Sequence, residues 1–98
     1  MSKAYFIGKV TVTHPDMYAT YAKEVPATIQ KYGGAYLVRG GDPQQIEGDV
    51  QASRVVVLEF ASRDMALGWY NSPEYQAILP IRLANSIGNM VLVDGVPA

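Results

Sequence analysis

Ser53 to Phe60 reads SRVVVLEF, and no other run constrains the fold so strongly. Three valines, a leucine and a phenylalanine fall in eight residues without glycine or proline, which is strand chemistry. Alternation puts Val55, Val57 and Glu59 on one face and Arg54, Val56, Leu58 and Phe60 on the other. Both faces are mainly apolar, so this strand needs a cover on each side.

The rest of the chain offers cover for one side. Lys3 to Val12 alternates as a first strand, with Ala4, Phe6, Gly8, Val10 and Val12 on one face. Gly8 omits a side chain in mid-strand, which weakens the strand or makes room for a neighbouring group. Thr13 with Asp16 has capping-box spacing and opens a helix to about Tyr32. Its apolar stripe is Met17 or Tyr18, then Tyr21, Val25, Ile29 and Tyr32. Pro26 cannot donate to the Ala22 carbonyl, so a kink or two short helices are expected. Gly33-Gly34 end the helix. Ala35 to Arg39 is a second strand, with Leu37 and Arg39 on one face and Tyr36 and Val38 on the other. The turn-rich segment from Gly40 to Ala52 forms a hairpin tip with Ile46 and Val50 as anchors.

After the valine run, Ser62 caps a helix over Arg63 to Tyr70. Ser72-Pro73-Glu74 then restarts a helix whose stripe is Tyr75, Ile78, Leu79 and Leu83, interrupted by Pro80. Gly88 ends a turn, and Asn89 to Asp94 is the last strand. The order β-α-β-β-α-β predicts one ferredoxin-like α+β domain over residues 1–98, a four-stranded antiparallel sheet with its helices on one face. The strands are apolar on their other face too. That predicts a homodimer through the sheet faces by twofold symmetry, curling into a dimeric α/β barrel with a cavity. A ligand site is expected in that cavity or under the helices.

Composition narrows function. Net charge is -1 and no charge run exceeds two residues, so no basic stripe for nucleic acid is present. No run approaches the ~20 apolar residues of a membrane helix, and the start, MSKAYFIG, lacks a signal-peptide pattern. A cytoplasmic protein is expected. With no cysteine and one histidine, neither disulfides nor a zinc site are expected, and no cofactor is called for.

The residues with chemistry are few. Arg39 and Arg54 lie on the two hairpin strands, and Glu59 closes the second. They suit an anion clamp in which arginine holds a carboxylate or enolate and Glu59 moves a proton, or else an Arg–Glu network satisfying itself. His14 at a helix start is the lone candidate for a general base near neutral pH, or an exposed residue of the first turn. Trp69, Tyr70 and Tyr75 surround the helix break and Arg82 follows. They suit an aromatic pocket, or core packing. Seven tyrosines against two phenylalanines favour interfaces or polar-lined cavities.

Several separated stretches coincide with one family. They are YGGAYLVRGG at 32–41, Ile46-Glu47-Gly48, Arg54, Glu59-Phe60, Ala66, Trp69-Tyr70, Ser72-Pro73-Glu74-Tyr75, Arg82 and Val93-Asp94-Gly95. On these the chain resembles, over nearly its whole length, the family named domain of unknown function 1330 (DUF1330), within the dimeric alpha-beta-barrel superfamily. Pro80 departs from that pattern. The superfamily includes cofactor-free monooxygenases, muconolactone isomerase and haem-degrading enzymes. The resemblance implies the fold and a dimer. It leaves two functional expectations: a cofactor-free enzyme, isomerase or monooxygenase in type, acting on a small anionic or aromatic molecule, and a non-catalytic ligand-binding or structural dimer. Haem handling would need an axial ligand, for which His14 is the lone histidine.

Overall fold

The valine run forms the strand expected of it, and the remaining elements assemble on it. The computed structural model describes residues 2–49 and 53–97. In chain order it contains β1 (Ala4–Val12), α1 (Pro15–Lys31), β2 (Ala35–Gly40), β3 (Arg54–Phe60), α2 (Arg63–Tyr70), α3 (Pro73–Asn85) and β4 (Ser86–Asp94). The strands make one antiparallel sheet in the order β2-β3-β1-β4, the ferredoxin-like arrangement. Phe6 of β1 faces Leu58 on one side and Leu92 on the other, and Gly8 faces Val56 and Met90. This register gathers Ala4, Phe6, Val10, Leu58 and Phe60 on one face, all buried.

The helices cover that face. Tyr18, Tyr21, Val25 and Ile29 come from α1, Ala66 and Trp69 from α2, and Tyr75 and Leu79 from α3. Trp69 is fully buried, 5.4 Å from Phe6, 5.6 Å from Phe60 and 4.2 Å from Tyr75, ring centroid to ring centroid. Its indole N–H donates to Thr28 Oγ1 at 3.0 Å, so burial leaves no polar atom of the ring unsatisfied.

The opposite face has no cover in the chain. Ile87 is 71% exposed and Val91 51% exposed on β4, beside Ile7, Val55 and Val57. The sheet stays open, and this corrects the expected barrel. The sheet ends at β2 and β4 as unpaired edges, so among the described residues it is an open four-stranded sheet and not a closed barrel.

Local departures from the sequence pattern have physical causes. The N-cap of α1 is His14, without a side-chain cap, instead of Thr13. The N–H groups of Thr13 and His14 both donate to the Asn85 carbonyl, at 2.9 and 3.3 Å, and this contact with the end of α3 sets where α1 starts. Ser62 and Ser72 cap as expected, accepting from the N–H of Met65 at 3.2 Å and of Tyr75 at 3.1 Å. α1 runs through Pro26 as one helix, and α3 runs through Pro80. β4 starts at Ser86, directly after α3, so Gly88 lies inside the strand. A β-carbon there would stand 2.1 Å from the Lys9 carbonyl oxygen, so the close approach of two strands requires glycine. Ile46 is exposed and anchors nothing, while Val50 lies outside the described residues.

Candidate functional site

A cleft opens between the sheet and the helices, and alternation along β3 decides what faces it. Arg54 pairs with Val10, on the helix side, with Val56 and Leu58 following it on that face. Its guanidinium carbon lies 5.8 Å from the centre of the Tyr18 ring, in cation–π range. α3 adds a second cation. Its buried stripe runs Tyr75, Leu79, Arg82, the i, i+4, i+7 spacing of one helix face. Arg82 is only 7% exposed, whereas Leu83, expected in the stripe, is 62% exposed. Both arginines line the cleft.

Each guanidinium keeps one nitrogen without a partner. The Nε atoms of Arg54 and Arg82 are buried without a hydrogen-bond partner. The ion pairs among the described residues are Lys3–Glu59, Lys31–Glu74 and Arg63–Asp94, and they leave both cleft arginines without a carboxylate. Each therefore keeps a buried N–H that an anion entering the cleft could accept from.

The walls supply hydroxyls and apolar surface. Tyr21 and Tyr75 share a hydrogen bond of 2.8 Å between their hydroxyls. Burial, then the neighbouring Tyr75, push the Tyr21 hydroxyl far above the ordinary tyrosine range, so it is a neutral donor and not a base. Burial also raises Tyr75, against the pull of its bond to Tyr21 and of Arg82. Burial opposes the charge of Arg82, but Tyr75 and Tyr21 outweigh it and hold the guanidinium above its ordinary range. Burial raises Tyr36, with Arg39 and Arg54 pulling the other way. Val10, Val25, Val56 and Met90 complete an apolar lining. With its mouth the cleft spans ≈ 410 Å³, but only ≈ 20 Å³ is open to the centre of a water molecule.

The residues singled out from the sequence do not form one constellation. Arg54, Arg82 and Trp69 line the cleft, and Tyr75 reaches it through its bond to Tyr21. Glu59 lies five positions after Arg54 and therefore on the opposite sheet face, bonded to Tyr5 Oη at 3.2 Å and to Lys3. Arg39 is turned by a β-bulge. Tyr36 pairs with Leu58 but Val38 with Val57, so Leu37 is the extra residue and Tyr36 and Arg39 share the helix side. There Arg39 stacks 4.9 Å from the Tyr36 ring and binds the backbone of α1, outside the cleft lining. The expected clamp of Arg39, Arg54 and Glu59 is thus not brought together. His14 is exposed, with Nδ1 3.0 Å from Thr13 Oγ1 and no other side-chain partner among the described residues.

Tyr18, Tyr21, Tyr36 and Gly8 also line the site. The tyrosine surplus and the mid-strand glycine were their traces in the sequence. Among the described residues no group of three or more His, Cys, Asp or Glu side chains is placed to hold a metal, and no helix is long and apolar enough to cross a membrane.

Comparison with known proteins agrees with this fold. The structure of the RPA0582 protein of Rhodopseudomonas palustris, a protein of unknown function, superposes with a TM-score of 0.80 at 16% identity, covering 99% of this chain and 85% of that one. SnoaB of Streptomyces nogalater, a cofactor-independent oxygenase, is similar with a TM-score of 0.66 at 12% identity, covering 100% and 97%. A dimeric ferredoxin-like protein of unknown function from Thermobifida fusca gives 0.61 at 12% identity, covering 98% and 92%. At such identities the likeness concerns the fold alone. No curated protein matches the chain. Residues 3–96 match the family model described as "Domain of unknown function (DUF1330)", and the chain belongs to that family.

Proposed function

We propose that this protein binds a small organic anion, a carboxylate or enolate, in the cleft between its sheet and helices. One observation carries the reading: Arg54 and Arg82 line the same cleft, and each keeps a buried Nε without a partner. Arginine suits this role because its planar fork matches a carboxylate. Trp69 and the tyrosines supply walls for the ligand's carbon frame. The site lies within one chain, so the cavity once expected between two sheets is not needed for binding.

Binding is favoured over proton-transfer catalysis. Among the described residues none that lines the cleft is Asp, Glu or His, and Tyr21 is held as a donor. The cofactor-free enzyme is the second reading. In its favour, the Tyr21–Tyr75 hydroxyl pair beside Arg82 would steady a developing oxyanion, and SnoaB, similar in fold, is a cofactor-independent oxygenase.

The working form in this proposal is a homodimer joined through the open sheet faces. Exposed Ile87, Val91 and Leu37 make that face costly to leave in water, and a ferredoxin-like relative is dimeric.

The test of the anion site is isothermal titration with fumarate and with fumaramide, which has the same skeleton and no charge. Fumarate should bind saturably and fumaramide should not, and Arg82→Gln should weaken fumarate about ten-fold or more. Equal binding of the two, or binding of neither, overturns the proposal.

A further inference from the structure

The anion-site reading leaves the ligand's charge open, and the cleft holds an observation that decides it. The two cations come from different elements, Arg54 from β3 and Arg82 from α3, and they enter one small space. No carboxylate among the described residues neutralises them, since neither takes part in an ion pair and no acidic side chain lines the cleft. Two like charges facing a low-dielectric cleft repel each other as well as losing hydration. A monoanion would neutralise one guanidinium and leave the other as it stands.

We propose that the cleft is built for a small dianion, a short organic molecule with two ionised acid groups, one held by Arg54 and the other by Arg82. This rests on the anion-site reading and adds the charge count and the size. The surroundings of the two cations differ. Arg82 sits with the paired hydroxyls of Tyr21 and Tyr75; their mutual bond uses one proton and leaves one free to donate to the same oxygens. Arg54 sits on the Tyr18 ring, and its Nη1 lies 3.2 Å from where a β-carbon on Gly40 would be. Gly40, at φ +89°, therefore gives that guanidinium its room. In the same lining Val56, Met90 and the bare backbone of Gly8 favour a short hydrocarbon bridge over a polar one. The narrow free space, ≈ 20 Å³ for a water's centre, argues against a fused-ring compound, and even a molecule of a few carbons would need the lining side chains to move apart.

The experiment compares fumarate with crotonate, which keeps the unsaturated four-carbon skeleton but carries one carboxylate, at constant ionic strength. The dianion should bind about ten-fold tighter or better in the unaltered protein. Arg54→Gln and Arg82→Gln should each bring the ratio close to one, with Arg54→Lys and Arg82→Lys restoring part of it if the glutamine variants fold poorly. Crotonate binding as tightly as fumarate overturns the dianion and leaves the anion site standing. Failure of both acids to bind overturns the anion site, and the dianion with it.

Discussion

Arg39 donates from Nη2 to the carbonyl oxygen of Ala22 at 2.7 Å, and that carbonyl is the one Pro26 leaves without a helical donor. An interior proline removes the N–H that would bond four residues back. Here an arginine on the edge strand β2 fills the gap and ties α1 to the sheet. The helix therefore continues to Lys31 as one element and does not divide into two short helices.

That relationship predicts a coupled pair. Arg39→Met should lower stability by about 1 kcal/mol, the net worth of one hydrogen bond. In a Pro26→Ala background, where residue 26 supplies the missing N–H, the same change should cost little. Urea denaturation of the four proteins of the cycle measures the coupling. Equal costs in both backgrounds would show that Arg39 does not replace the lost helical bond.

Two glycines in neighbouring strands should respond in opposite ways. A β-carbon on Gly8 meets nothing closer than Met90 Cε at 3.7 Å and enters the cleft. Gly8→Ala should leave stability unchanged or raise it by about 0.5 kcal/mol, and weaken fumarate binding. A β-carbon on Gly88 would meet the Lys9 carbonyl oxygen at 2.1 Å and Val10 Cα at 2.9 Å. Gly88→Ala should destabilise by about 2 kcal/mol or more, because the β1–β4 pairing must shift. Thermal melts with parallel titrations check both. Unaltered binding by Gly8→Ala would move the ligand out of the cleft.

Acid should act through Glu74. Its carboxylate takes bonds from Lys31 Nζ and, at 2.9 Å, from Tyr32 Oη, joining the end of α1 to the start of α3. The bond from Lys31, then its own backbone N–H, then Tyr32 hold its pKa down at about 2. A pKa lowered by folding adds stability above the unfolded value, and that stability drains away as pH falls from about 4.5 to about 2. Glu74→Gln should flatten the acid side of the stability profile in that window and leave its shape near pH 7 unchanged. An identical acid limb in the variant would count against the clasp.

The exposed sheet face makes its own prediction. Val91→Lys puts a charge in the middle of that apolar surface, beside Ile7 of β1. Sedimentation velocity should show a dimer for the parent chain and a shift toward monomer for the variant. A monomeric parent at working concentration would contradict assembly through this face.

How much the sequence disclosed follows from how local each signal is. The valine run, the serine caps at 62 and 72 and the stripe of α1 depend on near neighbours, and they appear where spacing placed them. The bulge at Leu37 depends on the partner strand, so simple alternation assigned Arg39 to the wrong side. Alternation did place Arg54 and Glu59 on opposite faces, yet grouping residues by charge put them in one clamp. Arg82 was named as a pocket residue, but its burial ahead of Leu83 turns on the helix rotation set by Tyr75 and Leu79. A closed barrel was inferred from apolar faces, although two-sided apolarity calls only for a cover. Tyr18, Tyr21 and Tyr36 come from α1 and β2, and only the fold shows that they meet at one cleft.

The most direct measurement of the central claim is nuclear magnetic resonance of the arginine Nε–Hε groups during titration with fumarate. The chain has four arginines, at 39, 54, 63 and 82, so each signal can be assigned by substitution. Large, saturable shifts are expected for Arg54 and Arg82, whose Nε atoms are unpartnered, and little change for Arg39 and Arg63, held by Ala22 and Asp94. Shifts confined to Arg39 and Arg63, or none at any arginine, would contradict that claim.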